Sequence, residues 1–123
     1  MIKQSRYSYA ETVARLSQAV LAAGNTIFTT IDQSAAAARV GLSLRPTALI
    51  VFGNPKGGTP LMEAFPLIAL DLPLKLLVWE AEGTVNVAFT PMSEIAGRYA
   101  VTGRDALVGA MDRALETLGD AVG

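Results

Sequence analysis

The sequence predicts an α+β domain, a mixed β-sheet with helices packed on it, on three observations. Segments whose apolar residues recur at helical spacing stand at both ends of the chain. Between them lie four β-branched, aromatic or alternating runs of strand length, 26–31, 47–52, 74–81 and 84–89. The order is helix, strand, helix, strand, helix, hairpin, helices, without the strict strand–helix alternation of a parallel fold. At 123 residues the chain is expected to form one domain over 1–123, large enough for a core without disulfides or a structural metal.

Each element has a local cause. Ile2 to Tyr7 has the composition of a short first strand. Ser8-Tyr9-Ala10-Glu11 has the form of a capping box, so a helix begins there. Val13, Leu16, Val20 and Ala23 fall on one face of it, and Gly24 closes it. Thr26 to Ile31 then reads as a strand. Asp32 or Ser34 caps a short helix from Ala35 to Val40 that Gly41 ends. Thr47-Ala48-Leu49-Ile50-Val51-Phe52 is an uninterrupted apolar run, expected to be central and covered on both faces. Thr59-Pro60 reads as N-cap and first helical residue, with Glu63 in the first turn. That helix is short because Pro66 disfavours helical geometry at Phe65. Leu74 to Ala81 and Thr84 to Phe89 form a hairpin around Glu82-Gly83. Thr90-Pro91 repeats the cap-plus-proline start for a helix to Tyr99. Thr102-Gly103-Arg104-Asp105 opens the last helix, with Leu107, Val108, Met111, Leu115 and Leu118 as its buried stripe and Gly119 as its end.

Composition excludes several kinds of chemistry. With no cysteine and no histidine, thiolate, disulfide, Ser-His and Cys-His mechanisms have no residues to use. The usual ligands of a transition metal are missing too, so no metal and no other cofactor is expected. Ten basic against eleven acidic residues leave a formal charge of −1, no footprint for nucleic acid or an anionic membrane. The most apolar stretch, LIALDLPLKLLVW, is broken by Asp71, Pro73 and Lys75 before it reaches the roughly 20 residues of a membrane span. A cytoplasmic protein is therefore expected. Hydrophobic residues make up 51% and charged residues only 17%, and the mean hydropathy is +0.39, which predicts an apolar surface facing a second copy in a homodimer.

Three segments resemble the family called domain of unknown function 302: SYAETVARL, GLSLRPTALIVFGNPKGGTPLM, and ALDLPLKLLVWEAEGTVNVAF followed by a proline-initiated helix. The resemblance spans most of the chain. It implies a compact α+β domain of bacteria and archaea, usually alone in its chain and sometimes duplicated or fused, with homodimers among its structures and no established activity. The sequence departs from that family where a histidine often follows the Ile-Asp step and where another often lies in the helix after the hairpin. Those places hold Gln33 and Tyr99.

The candidate site is the segment Gly53-Asn54-Pro55-Lys56-Gly57-Gly58-Thr59. A nucleotide P-loop needs G-x-x-x-x-G-K-[ST], and here Lys56 precedes the glycine pair. Two readings stand. In one, Gly53, Asn54, Lys56, Gly57, Gly58 and Thr59 offer backbone donors, a cation and a helix N-terminus to a small anionic or polar ligand. In the other, the glycines only make a turn. Asp71 reads either as a buried carboxylate with a raised pKa or as a turn cap. Lys75 and Glu80 line a cleft or a solvated face, and Trp79 and Phe89 supply core, interface or a stacking surface. Three functions follow: a non-catalytic homodimeric binding module using the 53–59 segment, a histidine-independent enzyme using Lys56 and Asp71, or a protein-interaction domain. Close approach of Lys56 and Asp71 in one pocket would favour the enzyme.

Overall fold

The computed structural model describes residues 1–123. Five strands form one sheet: β1 (Ile2–Gln4), β2 (Thr26–Asp32), β3 (Thr47–Gly53), β4 (Leu74–Ala81) and β5 (Thr84–Ala88), in the order β1-β5-β4-β3-β2. Every pairing is antiparallel, so the α+β class holds while the sheet is not mixed. The predicted hairpin is present, with Glu82 and Gly83 both at positive φ in its two-residue turn.

Five helices complete the domain: α1 (Tyr9–Ala22), α2 (Gln33–Arg39), α3 (Pro55–Ala64), α4 (Met92–Arg98) and α5 (Asp105–Asp120), with a 3-10 turn at Pro66–Leu70. Ser8 caps α1 by accepting the Glu11 N–H at 3.2 Å, and the Glu11 carboxylate pairs with Arg15. Thr12, Leu16 and Val20 form its buried line, a line rotated from the one expected through Val13 and Ala23. Thr12 can go inside because its hydroxyl lies 2.6 Å from that of Ser5, the other buried polar residue. Asp32 caps α2, accepting the Ala35 N–H at 2.9 Å.

Strand alternation divides the sheet into two unlike faces. Ala48, Ile50 and Phe52 of β3, Leu74, Leu76 and Val78 of β4, and Val85 and Val87 of β5 are buried beneath the helices. Leu16 and Val20 of α1, Leu61 of α3, and Leu115 and Leu118 of α5 close on them. The intervening residues, including Leu49, Val51, Leu77 and Trp79, lie on the opposite, open face and are only half-buried. The run Thr47 to Phe52 is therefore covered on one face, and the middle of the sheet belongs to β4. Its unbroken apolar pattern has a different source from the double burial expected of it: the open face is itself apolar.

Two helix boundaries also differ from expectation. Gly119 lies inside α5, not at its end, and is buried against the side chain of Lys3, whose Cδ would sit 3.0 Å from an added Cβ. That close crossing lets Lys3 reach Glu116 at 2.9 Å as well as Asp120. Thr90 does not cap α4; the carboxylate of Asp112, on α5, accepts the Met92 and Ser93 N–H groups. No helix is long and apolar enough to cross a membrane.

Candidate functional site

The glycine-rich segment folds as helix rather than loop. Asn54 is the N-cap of α3, accepting the Lys56 N–H at 3.0 Å through its side chain, and Pro55 supplies the first helical position. The Asn54 carbonyl accepts the Gly57 and Gly58 N–H groups at 2.9 and 3.0 Å. Thr59 and Pro60 consequently lie within the helix, where Pro60 removes the bond to the Lys56 carbonyl. The donors that an anion would need are thus engaged inside the chain: Pro55 has none, and those of Lys56, Gly57 and Gly58 are taken by Asn54. The segment expected as an open loop at Gly53 to Thr59 is thus the end of β3 and the first turn of α3.

What the segment does form is one wall of a cavity of about 330 Å³. Gly53, Asn54, Gly57 and Gly58 line it, whereas Lys56 and Thr59 do not. Leu107, Met111 and Leu115 of α5 face them, and Phe52, Leu74 and Phe28 close the remaining sides. Phe28 is brought there by a bulge in β2, where the pairing register shifts between Ile27 and Thr29. The only side-chain amides on the lining are Asn25 and Asn54. The cavity is therefore an apolar space with two amides at its polar end.

The three glycines on this wall have ordinary backbone angles, since none is among the positive-φ glycines. A Cβ added at Gly53, Gly57 or Gly58 would meet its nearest neighbours at 3.6, 3.8 and 3.7 Å, ordinary van der Waals contact. Neither the backbone nor close packing calls for glycine there, and within α3 Gly57 and Gly58 each cost up to about 1 kcal/mol against alanine. What the missing side chains leave is room.

Asp71 lies in a second recess, of about 490 Å³, on the open face. Its floor is Leu49, Leu77 and Ala88, and Lys75 and Arg98 flank the carboxylate. The Tyr99 hydroxyl donates to Asp71 Oδ2 at 2.6 Å, and Arg98 approaches the same oxygen at 3.4 Å. These partners hold the Asp71 carboxyl below its ordinary value, the Tyr99 bond being the larger cause, so of the two readings of Asp71 the one with a raised pKa is set aside. The same bond raises the Tyr99 phenol. Lys75 donates to the Pro73 and Asp71 carbonyls at 3.1 and 3.4 Å.

Lys56 is exposed and lines neither recess, so the two residues considered for catalysis share no pocket. No three acidic side chains converge to hold a metal ion. Sequence reasoning missed the α5 wall of the cavity and the role of Phe28, because both depend on contacts distant in the chain. It also passed over Asn54-Pro55, a cap-plus-proline signal of the same form as those it accepted at Thr59-Pro60 and Thr90-Pro91.

The architecture matches the crystal structure of an uncharacterized conserved DUF302 protein from Bacillus stearothermophilus with a TM-score of 0.91, over 100% of this chain and 97% of that one, at 17% identity. Two curated relatives, each named fluoride-specific ion channel FluC 1, come from Brucella suis biovar 1 (strain 1330) and Brucella abortus biovar 1 (strain 9-941). Each is 40% identical over 99 residues, which cover 80% of this chain. The matched region is 39% of the first relative's length and 37% of the second's. The family model described as domain of unknown function DUF302 matches residues 1–118, and the chain belongs to the DUF302 family.

Proposed function

We propose that the chain is a non-catalytic, homodimeric binding module that holds a small apolar or amphipathic molecule in the cavity beneath Gly53 to Gly58. The observation that carries this is the cavity itself, an apolar space of about 330 Å³ kept open by glycines that the backbone does not require. Its size lies within the roughly 300–1,000 Å³ of small-molecule sites. The sequence expectation of an anionic ligand gives way to an apolar one, because no charged side chain lines the space. Asn25 and Asn54 would meet the polar end of an amphipathic occupant.

Catalysis has less support. Asp71 is a carboxylate tied to Tyr99 and Arg98, and Lys56, the other residue considered for catalysis, lies outside its recess. A regulatory role is supported by the relatives from Brucella, in which a matching segment forms part of longer chains named as fluoride channels. In such a setting occupancy of the cavity would be sensed by another part of the same protein.

The test uses 1-octanol and octanoate as probes, with methyl NMR at Met62, Leu107 and Met111. Saturable shifts at these methyls, lost in Gly57→Leu, are the expected result. Absence of binding by either probe, or shifts that survive the filled cavity, would overturn the proposal.

A further inference from the structure

The open face of the sheet carries a continuous apolar row across all five strands. Ile2 pairs with Ala88, Ala88 with Leu77, Leu77 with Leu49, and Leu49 with Ile31, so these five residues stand side by side. Ile2 is 67% exposed and Ile31 38%. On one side of this row Trp79 stands between Thr47 and Asn86; on the other Lys75 stands beside Val51. We infer that the open face is the interface with a second copy of this chain, with the two-fold axis running along the Ile2-Ala88-Leu77-Leu49-Ile31 row. This rests on the homodimeric reading above and adds to it the surface and the orientation.

Symmetry and charge select the arrangement. Two orientations of a two-fold axis stack the strands of facing sheets in line with one another, one along the strands and one across them, and each uses one patch twice. An axis along β4 stacks Lys75 on its own copy, and two ammonium groups face each other in a dry interface. An axis across the strands pairs positions two residues either side of Leu77, so the Lys75 of one protomer meets the Trp79 of its partner. That exchange replaces repulsion with a cation–π contact made twice. It also gives the recess beside Lys75, about 490 Å³ on this face, an occupant: the partner's indole. The apolar row then stacks on itself, leucine on leucine and isoleucine on isoleucine.

The area is of the right order. Five strands about 4.8 Å apart, of three to eight residues each rising roughly 3.4 Å, give a face of about 500 Å² in plan. Side-chain relief brings its accessible area toward the roughly 800 Å² per partner of a stable interface. Leu67 and Leu70, 70% and 76% exposed, extend the apolar area beyond the sheet, and Leu70 borders the recess itself.

Trp79 is the sole tryptophan, so its emission reports on this surface alone. Sedimentation of the full chain should give a dimer at micromolar concentration. Leu77→Asp, which opposes two carboxylates on the axis, should weaken association about a hundredfold or more. Lys75→Ala should weaken it as well, by about fivefold. On dilution of the wild type, tryptophan emission should move to longer wavelength in step with dissociation, a readout that needs no variant to fold. A monomeric wild type would overturn both the dimer and this interface. A dimer that Leu77→Asp leaves intact while circular dichroism shows native structure, or emission that stays fixed through dissociation, would overturn the interface alone. Tighter association in Lys75→Ala would overturn the axis.

Discussion

The two recesses border the same residue, Leu74, yet their walls are built on opposite principles. The cavity under α3 has space and no charge. The recess on the open face has charge, and that charge is already engaged: Asp71 with Tyr99 and Arg98, Arg98 with Glu94 at 3.2 Å, Lys75 with two carbonyls. A carboxylate whose partners lower its pKa is a fixed anchor, and it ties the turn after the 3-10 segment to the end of α4. Glycines in a regular helix do the reverse, giving up contact and stability to leave a volume. The cation and the glycines of a motif need not serve one ligand: Lys56 sits among the glycines in sequence and outside their cavity in space.

The largest expected effect separates the buried wall of the cavity from its open one. Leu115 is fully buried and lies on the α5 side, so Leu115→Ala should cost about 3 kcal/mol, measured by urea denaturation. A loss below about 1 kcal/mol would mean that the cavity already isolates this side chain from the core. Next in size is the support of the charged recess. Asp112→Ala removes the cap shared by Met92 and Ser93 and should cost about 1–2 kcal/mol, with α4 amides exchanging faster than those of α1.

A smaller effect has the opposite sign. Gly57→Ala fits the helical backbone and adds a methyl at 3.8 Å from Leu107, so it should raise stability by about 0.5 kcal/mol while reducing probe uptake. Stability lost on this substitution would show that the glycine serves packing. The smallest effect concerns pH. Because the folded state lowers the Asp71 pKa, its contribution is fully present above the ordinary carboxylate value near 3.8 and fades as pH falls through the lowered one. Tyr99, raised in the folded state, contributes fully below its ordinary value of 10.0 and loses that contribution as pH climbs through the higher one. Tyr99→Phe should therefore flatten both the acid and the alkaline limbs of a thermal-melting profile, and Asp71→Asn should do the same.

What was legible in the sequence was local. The Ser8 cap, the Glu82-Gly83 turn, the strand at 47–52 and the short α2 all follow from residues within a few positions of one another. The α3 start lies ahead of Thr59-Pro60 because Asn54 and Pro55, a side-chain acceptor and a preset φ, together nucleate a turn of helix that two glycines then continue. The α4 cap came from Asp112, 20 residues further on, and no local pattern points to it. The site divided in the same way: Gly53, Asn54, Gly57 and Gly58 were expected to offer donors to an anionic or polar ligand, whereas the apolar character of the space they border is set by Leu107 and Met111 across the cavity. The open face was misjudged for a related reason. An apolar run cannot distinguish a strand buried on both faces from one buried on one face with a half-buried apolar face on the other.

The pairing of β1 with β5 joins the start of the chain to residues more than eighty positions later, and Lys3 waits for Glu116 and Asp120. During synthesis the first segment has no partner until the hairpin is complete, and its clamp arrives only with the last helix. Until then β5 is an unprotected edge, open to pairing with another chain. The order in which the protein leaves the ribosome thus places the closure of its sheet at the end, and the carboxyl-terminal turn of α5 is what makes that closure durable.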